Sequence, residues 1–426
     1  MLSTFKNAWK IPQLRKKMLF TLFMLLLYRL GSHIAVPFMN TSVIEQLFNG
    51  ANSSLFAFMD LMAGGNFRNF TIFACNIYPY VTASIVLQLL TIAIPSLEAL
   101  AKEGDTGRKA IAKYTRYLAI AIAAVQAVGY TFGIFRQAVN ATTYLEYFTI
   151  IISIVAGSTI LIWIGEQITE HGIGNGISIL IFAGIVARFP VDIFQSIARV
   201  RAGLASSIYL WIFLVLAIAI CVFVVILNEG ERRIPVQYAK RVVGRKMYGG
   251  QATHIPIKVL LTGVMPIIFA NSLLAIPSTV AMFTKNEATR NWITKWLSPS
   301  GGPGVVIYVL CSVILIIFFT FFYTTIQFNT VEYSKNMQQN GGFIPGIRPG
   351  KPTSEYLQRS LNRLVLPGAI ALAILSVLPT ILTKISNLQF NYGGTSIIIV
   401  VGVVLETTRV LEQQLLMRNY RGFLRK

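Results

Sequence analysis

The side chains best suited to chemistry are few and scattered. The chain has three histidines, His33, His171 and His254, and none lies within a His-Glu-x-x-His motif or at zinc-ligand spacing. Its three cysteines, Cys75, Cys221 and Cys311, lie far apart, each in or at the end of an apolar run. An odd, dispersed set is no disulfide framework, so they read as buried, reduced packing residues. Gly172-Ile-Gly-Asn-Gly176 resembles a piece of a phosphate loop, but it joins two apolar runs and no strand precedes it. It reads better as a tight turn at the membrane edge that starts a helix, with Asn175 or Ser178 as cap. No Gly-x-x-x-x-Gly-Lys-Ser/Thr occurs, so nucleotide hydrolysis is not expected of this chain. Neither an enzyme, a metal centre nor a cofactor follows from these residues.

Charges inside apolar runs come next. Arg29, Glu406 and Arg409 are such residues. Each costs at least about 2.5–3.5 kcal/mol at mid-bilayer on insertion scales, so each needs a partner or an interfacial depth. Glu406 and Arg409, three apart, share a helix face and are expected to pair. Arg29 is expected to snorkel or to meet backbone carbonyls. Asp60 and Glu166 are weak carboxylate candidates for ion coupling. The amides Gln88, Asn271 and Gln126 are expected to bond across helices. Apolar pairs at helical spacing stand out more: Ile77 and Val81 flank Pro79, and Ile177 and Ile181 repeat the four-residue interval. Core packing or lipid contact is the plain reading of such pairs. An apolar constriction that excludes water is the other, and spacing alone does not choose between them.

The elements that must hold these residues are membrane helices. The chain is 54% hydrophobic and 12% charged, against about 25% charged in soluble domains. Apolar runs long enough to span lie at 18–37, 71–95, 117–135, 148–168, 175–190, 208–227, 257–283, 304–326, 364–383 and 395–413. The fifth is short. Five basic residues precede the first run, which is too long for a signal-peptide core and has no clear cleavage site. The formal net charge of +21 fits either a nucleic-acid surface or the cytoplasmic loops of a membrane protein. Placement decides. Of 37 Lys and Arg, 26 fall on the flanks that include both termini and nine on the opposite flanks, with Arg29 and Arg409 inside runs. The first set is therefore cytoplasmic. The expected fold is an all-α membrane protein of about ten spans. It divides into halves at 1–205 and 206–426.

Two cytoplasmic loops, 228–256 and 327–363, are unusually long. The first carries Arg232, Arg233, Lys240, Arg241 and Arg245, denser than orientation requires. The second sets Arg348 between Gly/Pro turns and is either a flexible linker or a docking surface. Leu55–Phe67 is apolar but too short to cross. It must lie on the surface, re-enter or pack inside, and Gly64-Gly65 would end its helix.

Four motifs carry a family resemblance: Ile77-Tyr-Pro-Tyr-Val-Thr-Ala-Ser84, His171-Gly-Ile-Gly-Asn-Gly-Ile-Ser178, Glu231-Arg-Arg-Ile-Pro-Val-Gln-Tyr-Ala-Lys-Arg241 and Gly342-Phe-Ile-Pro-Gly-Ile-Arg-Pro-Gly350. In order and over essentially the whole chain, they resemble the bacterial SecY family, channel subunits of the Sec protein translocase. The resemblance implies two pseudo-symmetric five-helix halves around an hourglass pore. It implies a pore ring of Ile77, Val81, Ile177, Ile181, Ile268 and Ile399, with Val81 where isoleucine is common. A plug would include Phe56, Phe58, Met59, Asp60, Leu61, Met62, Gly64 and Gly65. A lateral gate would carry Thr82 and Ile276, with Gln88 and Asn271 in a polar cluster that biases it shut. Arg232, Arg233, Lys240, Arg241, Arg245 and Arg348 would dock the SecA motor or the ribosome. The implied activity is a passive protein-conducting channel in the bacterial plasma membrane, both termini cytoplasmic. It would act with SecE- and SecG-like subunits on secretory and membrane proteins bearing signal sequences. A secondary transporter for a small solute is the alternative, since such proteins share broken helices and a five-plus-five layout.

Overall fold

Proline, glycine and capping side chains divide the apolar sequence into helices. The computed structural model describes residues 2–49, 64–203, 207–238, 241–243, 246–248, 252–284, 286–297, 304–386 and 394–423. A short α1 (Leu2–Lys10) leads through extended Ile11 into α2 (Pro12–Gly31), with proline in the first turn, where its missing N–H has no helical partner to lose. After α3 (Thr41–Asn49), the chain enters α4 (Tyr78–Ala93), and α5 (Pro95–Lys102) leaves it at 102°. Next, α6 (Asp105–Gly129) passes into a π-helical turn at Tyr130–Ile134. Glu146 opens α7 (Tyr144–His171) by accepting the Thr143 amide at 3.1 Å. Asn175 opens α8 (Gly176–Arg201), its Oδ1 accepting the amides of Ile177 and Ser178 at 3.0 and 3.3 Å. This fifth span runs on through Pro190 and is longer than its apolar run.

The second group comprises α9 (Ser207–Glu229), α10 (Met265–Phe283), α12 (Gly304–Gln327), α14 (Lys351–Ser386) and α15 (Gly394–Phe423), with the short α11 (Glu287–Leu297) and α13 (Thr330–Gln339) between them. Ten long helices therefore occupy the ten expected runs. Among the described residues, five stretches are long and apolar enough on their own to cross a bilayer: Tyr144–His171, Gly176–Ala198, Trp211–Glu229, Gly304–Gln339 and Lys351–Leu378. The groups meet along two seams. At the front, α4 and the π turn touch α10; at the rear, α8 and α1 touch α15. The boundary expected at 205–206 falls outside the described residues.

Three expectations need correction. The second span starts at Tyr78, not 71. Residues 64–77 are turns, with left-handed backbone at Phe70 (φ 42°) and Asn76 (φ 48°). This irregular stretch is buried: Phe67, Phe70, Ala74 and Cys75 pack on Tyr130, Phe135, Ala138, Ile150 and Ile154, as membrane-depth backbone outside a helix requires. Its closeness to α7 needs Gly157, where a Cβ would lie 1.9 Å from the Ile72 carbonyl oxygen. The seventh span likewise begins at Met265, not 257.

The spans are all α-helical, as expected, and the two long loops between them add short strands. The loop 228–256 holds an antiparallel hairpin of β1 (Glu231–Tyr238) and β4 (Ala252–Lys258), and β2 (Arg241–Val243) pairs with β3 (Lys246–Tyr248) farther out. The second long loop adds β5 (Gly342–Phe343), with Gln237 opposite Phe343 and Tyr238 opposite Gly342. Alternation explains the hairpin: Ile234 and Val236 point inward with Ile257 onto Phe328, Met337, Leu357, Leu361 and Val365. The two loops are one structured platform, not linkers.

Last, Arg409 does not ion-pair with Glu406. Its Nη2 donates to the Asn228 carbonyl oxygen at 2.6 Å. That oxygen belongs to the last turn of α9, where carbonyls lack helical partners and the helix dipole favours a cation.

Candidate functional site

Helix α8 supplies a ruler through the middle of the molecule. Ile177, Ile181, Ile185, Arg188 and Val191 recur on it every three or four residues and span about 21 Å. Three hollow spaces are stacked along this face. The first, about 660 Å³, is lined by Gln88, Arg116, Glu166, Ile177, Ile181 and Tyr323 among others. The second is a cavity of about 50 Å³ between Ile77 and Val81 of α4, Ile181 and Ile185 of α8, Ile268, Asn271 and Ser272 of α10, and Ile399 of α15, with Asn76 and Tyr78 completing it. The third, about 340 Å³, is bordered by Arg29, His33, Gly64, Gly65, Arg68, Arg188 and Val191. Val81, Ile181 and Ile268 belong to both the first and second spaces, so the passage narrows at these three side chains. The shape is an hourglass with an apolar waist.

Both helix groups build the waist, which is why its residues lie far apart in sequence. Proline in the first turn of α4 places Ile77 at the helix cap and Val81 one turn on. Proline also lies in the first turn of α10, two residues before Ile268. Five of the six side chains expected in a ring line this cavity. Ile177 lines the large vestibule instead, one turn from Ile181. Sequence reasoning missed Ile185, which the four-residue repeat from Ile181 signals, and Ser272, whose hydroxyl donates to the Ile268 carbonyl at 2.8 Å.

The vestibules carry polar side chains and charged ones, which the waist lacks. In the large one, Arg116 of α6 forks onto Glu166 of α7, Nε to Oε1 at 3.1 Å and Nη2 to Oε2 at 2.6 Å. Glu166 is thus the partner of an arginine that joins two helices. In the small one, Gly64 (φ 66°) approaches α8 so closely that a Cβ would lie 2.9 Å from Gly184 Cα. Arg29, at the end of α2, borders this space and is exposed. Phe56, Phe58, Met59, Asp60, Leu61 and Met62 lie outside the described residues.

The expected polar cluster is arranged differently. Gln88 bonds with Tyr323 of α12, which donates its hydroxyl to Gln88 Oε1. Asn271 faces the waist. Gln126 has a buried Oε1 without a hydrogen-bond partner. Thr82 is half-buried on α4, and Ile276 on α10 is 44% exposed.

On the platform, Arg232, Arg233 and Arg348 are exposed. Arg233 Nε donates to Glu231 Oε1 at 2.7 Å, and this bond draws the Glu231 carboxyl below the usual range. Burial, then the nearby Arg409 charge, lowers the Lys258 ammonium. Lys240 and Arg245 lie outside the described residues, and Arg241 lies in β2. The Arg348 carbonyl accepts the Thr353 hydroxyl at 2.8 Å, which fixes the turn. Among the described residues no group of three His, Cys, Asp or Glu side chains could hold a metal ion.

Residues 71–408 match the SecY family model. A protein translocase subunit SecY of Streptomyces scabiei is 44% identical over 443 aligned positions covering all of both chains. A solved protein-conducting channel shares the fold with a TM-score of 0.67 at 21% identity, over 94% of this chain and 92% of that one. Sec61 in a canine ribosome-channel complex from the endoplasmic reticulum does so with a TM-score of 0.61 at 20% identity, over the same shares.

Proposed function

This chain belongs to the SecY family, and on that premise we propose how its stacked spaces pass a polypeptide. It is a protein-conducting channel in the membrane, and not an enzyme. Ile77, Val81, Ile181, Ile268 and Ile399 form the pore ring at the waist, and Ile177, one turn from Ile181, extends it into the vestibule. The observation that carries this reading is the narrowing along α8 from about 660 Å³ to about 50 Å³. Branched apolar side chains at a waist part around an extended chain and close behind it. They offer it no hydrogen bonds that would retain one sequence over another, and they exclude water when it has gone. The segment before Gly64-Gly65 serves as the plug.

Release into lipid runs through the front seam, where α4 and α6 face α10 and α12. An apolar signal helix gains free energy by leaving the aqueous vestibule for the bilayer. The driving force comes from a partner, because the chain has no nucleotide-binding motif of its own. SecA or the ribosome docks on the platform of β1, β4 and β5, on Arg232, Arg233, Lys240, Arg241, Arg245 and Arg348. A ribosome-bound relative of the same fold supports the ribosome as one such partner. SecE- and SecG-like subunits complete the complex. Both termini lie on the cytoplasmic side of the bacterial plasma membrane, in line with the positive charge on those flanks.

Cysteines placed at Ile77 and Ile177 are expected to crosslink to a substrate stalled in transit. Transport that proceeds normally with no adduct at either position removes them from the ring.

A further inference from the structure

The turn Gly172–Gly176 joins α7 to α8 and is built more tightly than a connection requires. A helix leaves the N–H groups of its first turn without helical acceptors. In α8 side-chain oxygens accept them instead. The Gly176 amide donates to Thr169 Oγ1 at 2.9 Å, and those of Ile177 and Ser178 donate to Asn175 Oδ1 at 3.0 and 3.3 Å. The Ile179 amide then makes the first bond of the helix proper, to the Asn175 carbonyl at 3.0 Å. On the other side of the turn, Thr21 of α2 accepts the Ile173 amide at 3.2 Å. Ile177 lies directly on α7 at Gly165, where a Cβ would stand 2.6 Å from Ile177 Cδ1. Its height in the molecule is therefore set by this turn. Thr169, Asn175, Ile177 and Ser178 all border the large vestibule, where water can compete for the amides they hold.

We propose that Asn175 and Thr169 are positioning residues of the pore ring, their caps keeping the first turn of α8 wound so that Ile177 and Ile181 stay where the passage narrows. This deepens the pore-ring reading above and rests on it. Ile177 lies in the first turn of α8 and Ile181 one turn on, so both take their direction from that turn. A frayed first turn swings Ile177 into the vestibule and leaves Ile181 without its neighbour. Ile181 borders both the vestibule and the waist, so loosening it widens the narrowest place. Such fraying is a local opening at a helix end that faces an open space. It shows as leak before it shows as unfolding. Helix α13 supplies the contrast. Asn329 caps it in the same way, its Oδ1 accepting the Glu332 amide at 3.3 Å, but no residue of α13 lines the waist.

The test uses the full chain in its complex, in proteoliposomes without a driving partner, and reads chloride efflux through the resting channel. Asn175→Ala is expected to raise the leak about fivefold, the change in population that one lost cap supports. Asn175→Asp keeps an oxygen acceptor at the cap and should leak as wild type does. Asn329→Ala loses a cap of the same kind away from the waist and should also leak as wild type does, which a general loss of folding would not leave so. Ile181→Asn tests the ring itself. If Ile181→Asn leaks and Asn175→Ala does not, the positioning role is wrong and the ring stands. If neither leaks, the ring reading falls and the positioning role with it. A leak in Asn329→Ala equal to that in Asn175→Ala overturns the proposal, because any lost cap would then open the channel. An equal leak in Asn175→Asp overturns it too, because the cap bond would not be what matters. Should Asn175→Ala fail to accumulate, Thr169→Val decides alone: a rise of the same size supports the caps, and a wild-type leak refutes them.

Discussion

The two seams between the helix groups are built on different physics. At the rear, α8 and α15 meet through a dry interior in which Leu180, Ile398 and Val403 are nearly inaccessible. Beside it, Ala8, Leu14, Ile173 and Leu411 close a second small core under α1. At the front, α4 and α10 face each other across the waist cavity, and the Tyr323 hydroxyl reaches from α12 to α4. Dispersion and apolar burial hold the rear over many weak contacts with no preferred rupture point. The front has a cavity and a directional bond that breaks at one place. Under the gate reading proposed above, a body joined in these two ways would pivot at the rear and open at the front.

The largest effect that tests this contrast belongs to the rear. Leu411→Ala or Ile173→Ala removes a buried side chain from the small core and should cost about 2–5 kcal/mol. Thermal unfolding in mild detergent reads it, and export should fall in step with stability. An unchanged midpoint would mean that this core does not hold the rear closed.

The waist comes next. Ile268→Asn places an amide where α10 meets the common edge of waist and vestibule. It should wet the cavity, raising small-ion leak through the resting channel in proteoliposomes while lowering the unfolding free energy by about 1–3 kcal/mol at most. A leak no larger than wild type would show that closure does not depend on an apolar waist at this residue.

Legibility in the sequence follows the same division. The ten helices could be read because hydropathy reports insertion into lipid, a property of the local run. The start of α4 could not: Phe67, Phe70, Phe73 and Ile77 are as apolar as a span, and left-handed Phe70 and Asn76 follow from packing on α7. The alternation of Ile234, Val236, Ile255 and Ile257 was present, but too short to outweigh a loop rich in arginine. Residue spacing misled at Arg409, because i and i+3 on one helix share a face whether or not a better acceptor lies on a neighbour. Most ring candidates could be named through the family resemblance, yet Tyr323 could not. Its partner is 235 positions away, and nothing local distinguishes it from its aromatic neighbours.

The smallest effect sharpens the contrast most. The rear seam also carries a side-chain hydrogen bond between the groups: Thr4 Oγ1 donates to Glu412 Oε1 at 3.0 Å, at an exposed position. Water competes for both partners there, and a threonine that loses its bond is simply solvated. Thr4→Val should therefore change stability by no more than about 0.5 kcal/mol, with export of weak-signal and strong-signal reporters both at wild-type levels. The chemical loss resembles that in Tyr323→Phe: one hydroxyl between the same two groups of helices. If the seams differ as their packing indicates, the front substitution changes which signals pass while the rear one changes nothing measurable. Equal effects would mean that any bond between the groups restrains opening, and that the pivot at the rear is no more fixed than the gate at the front.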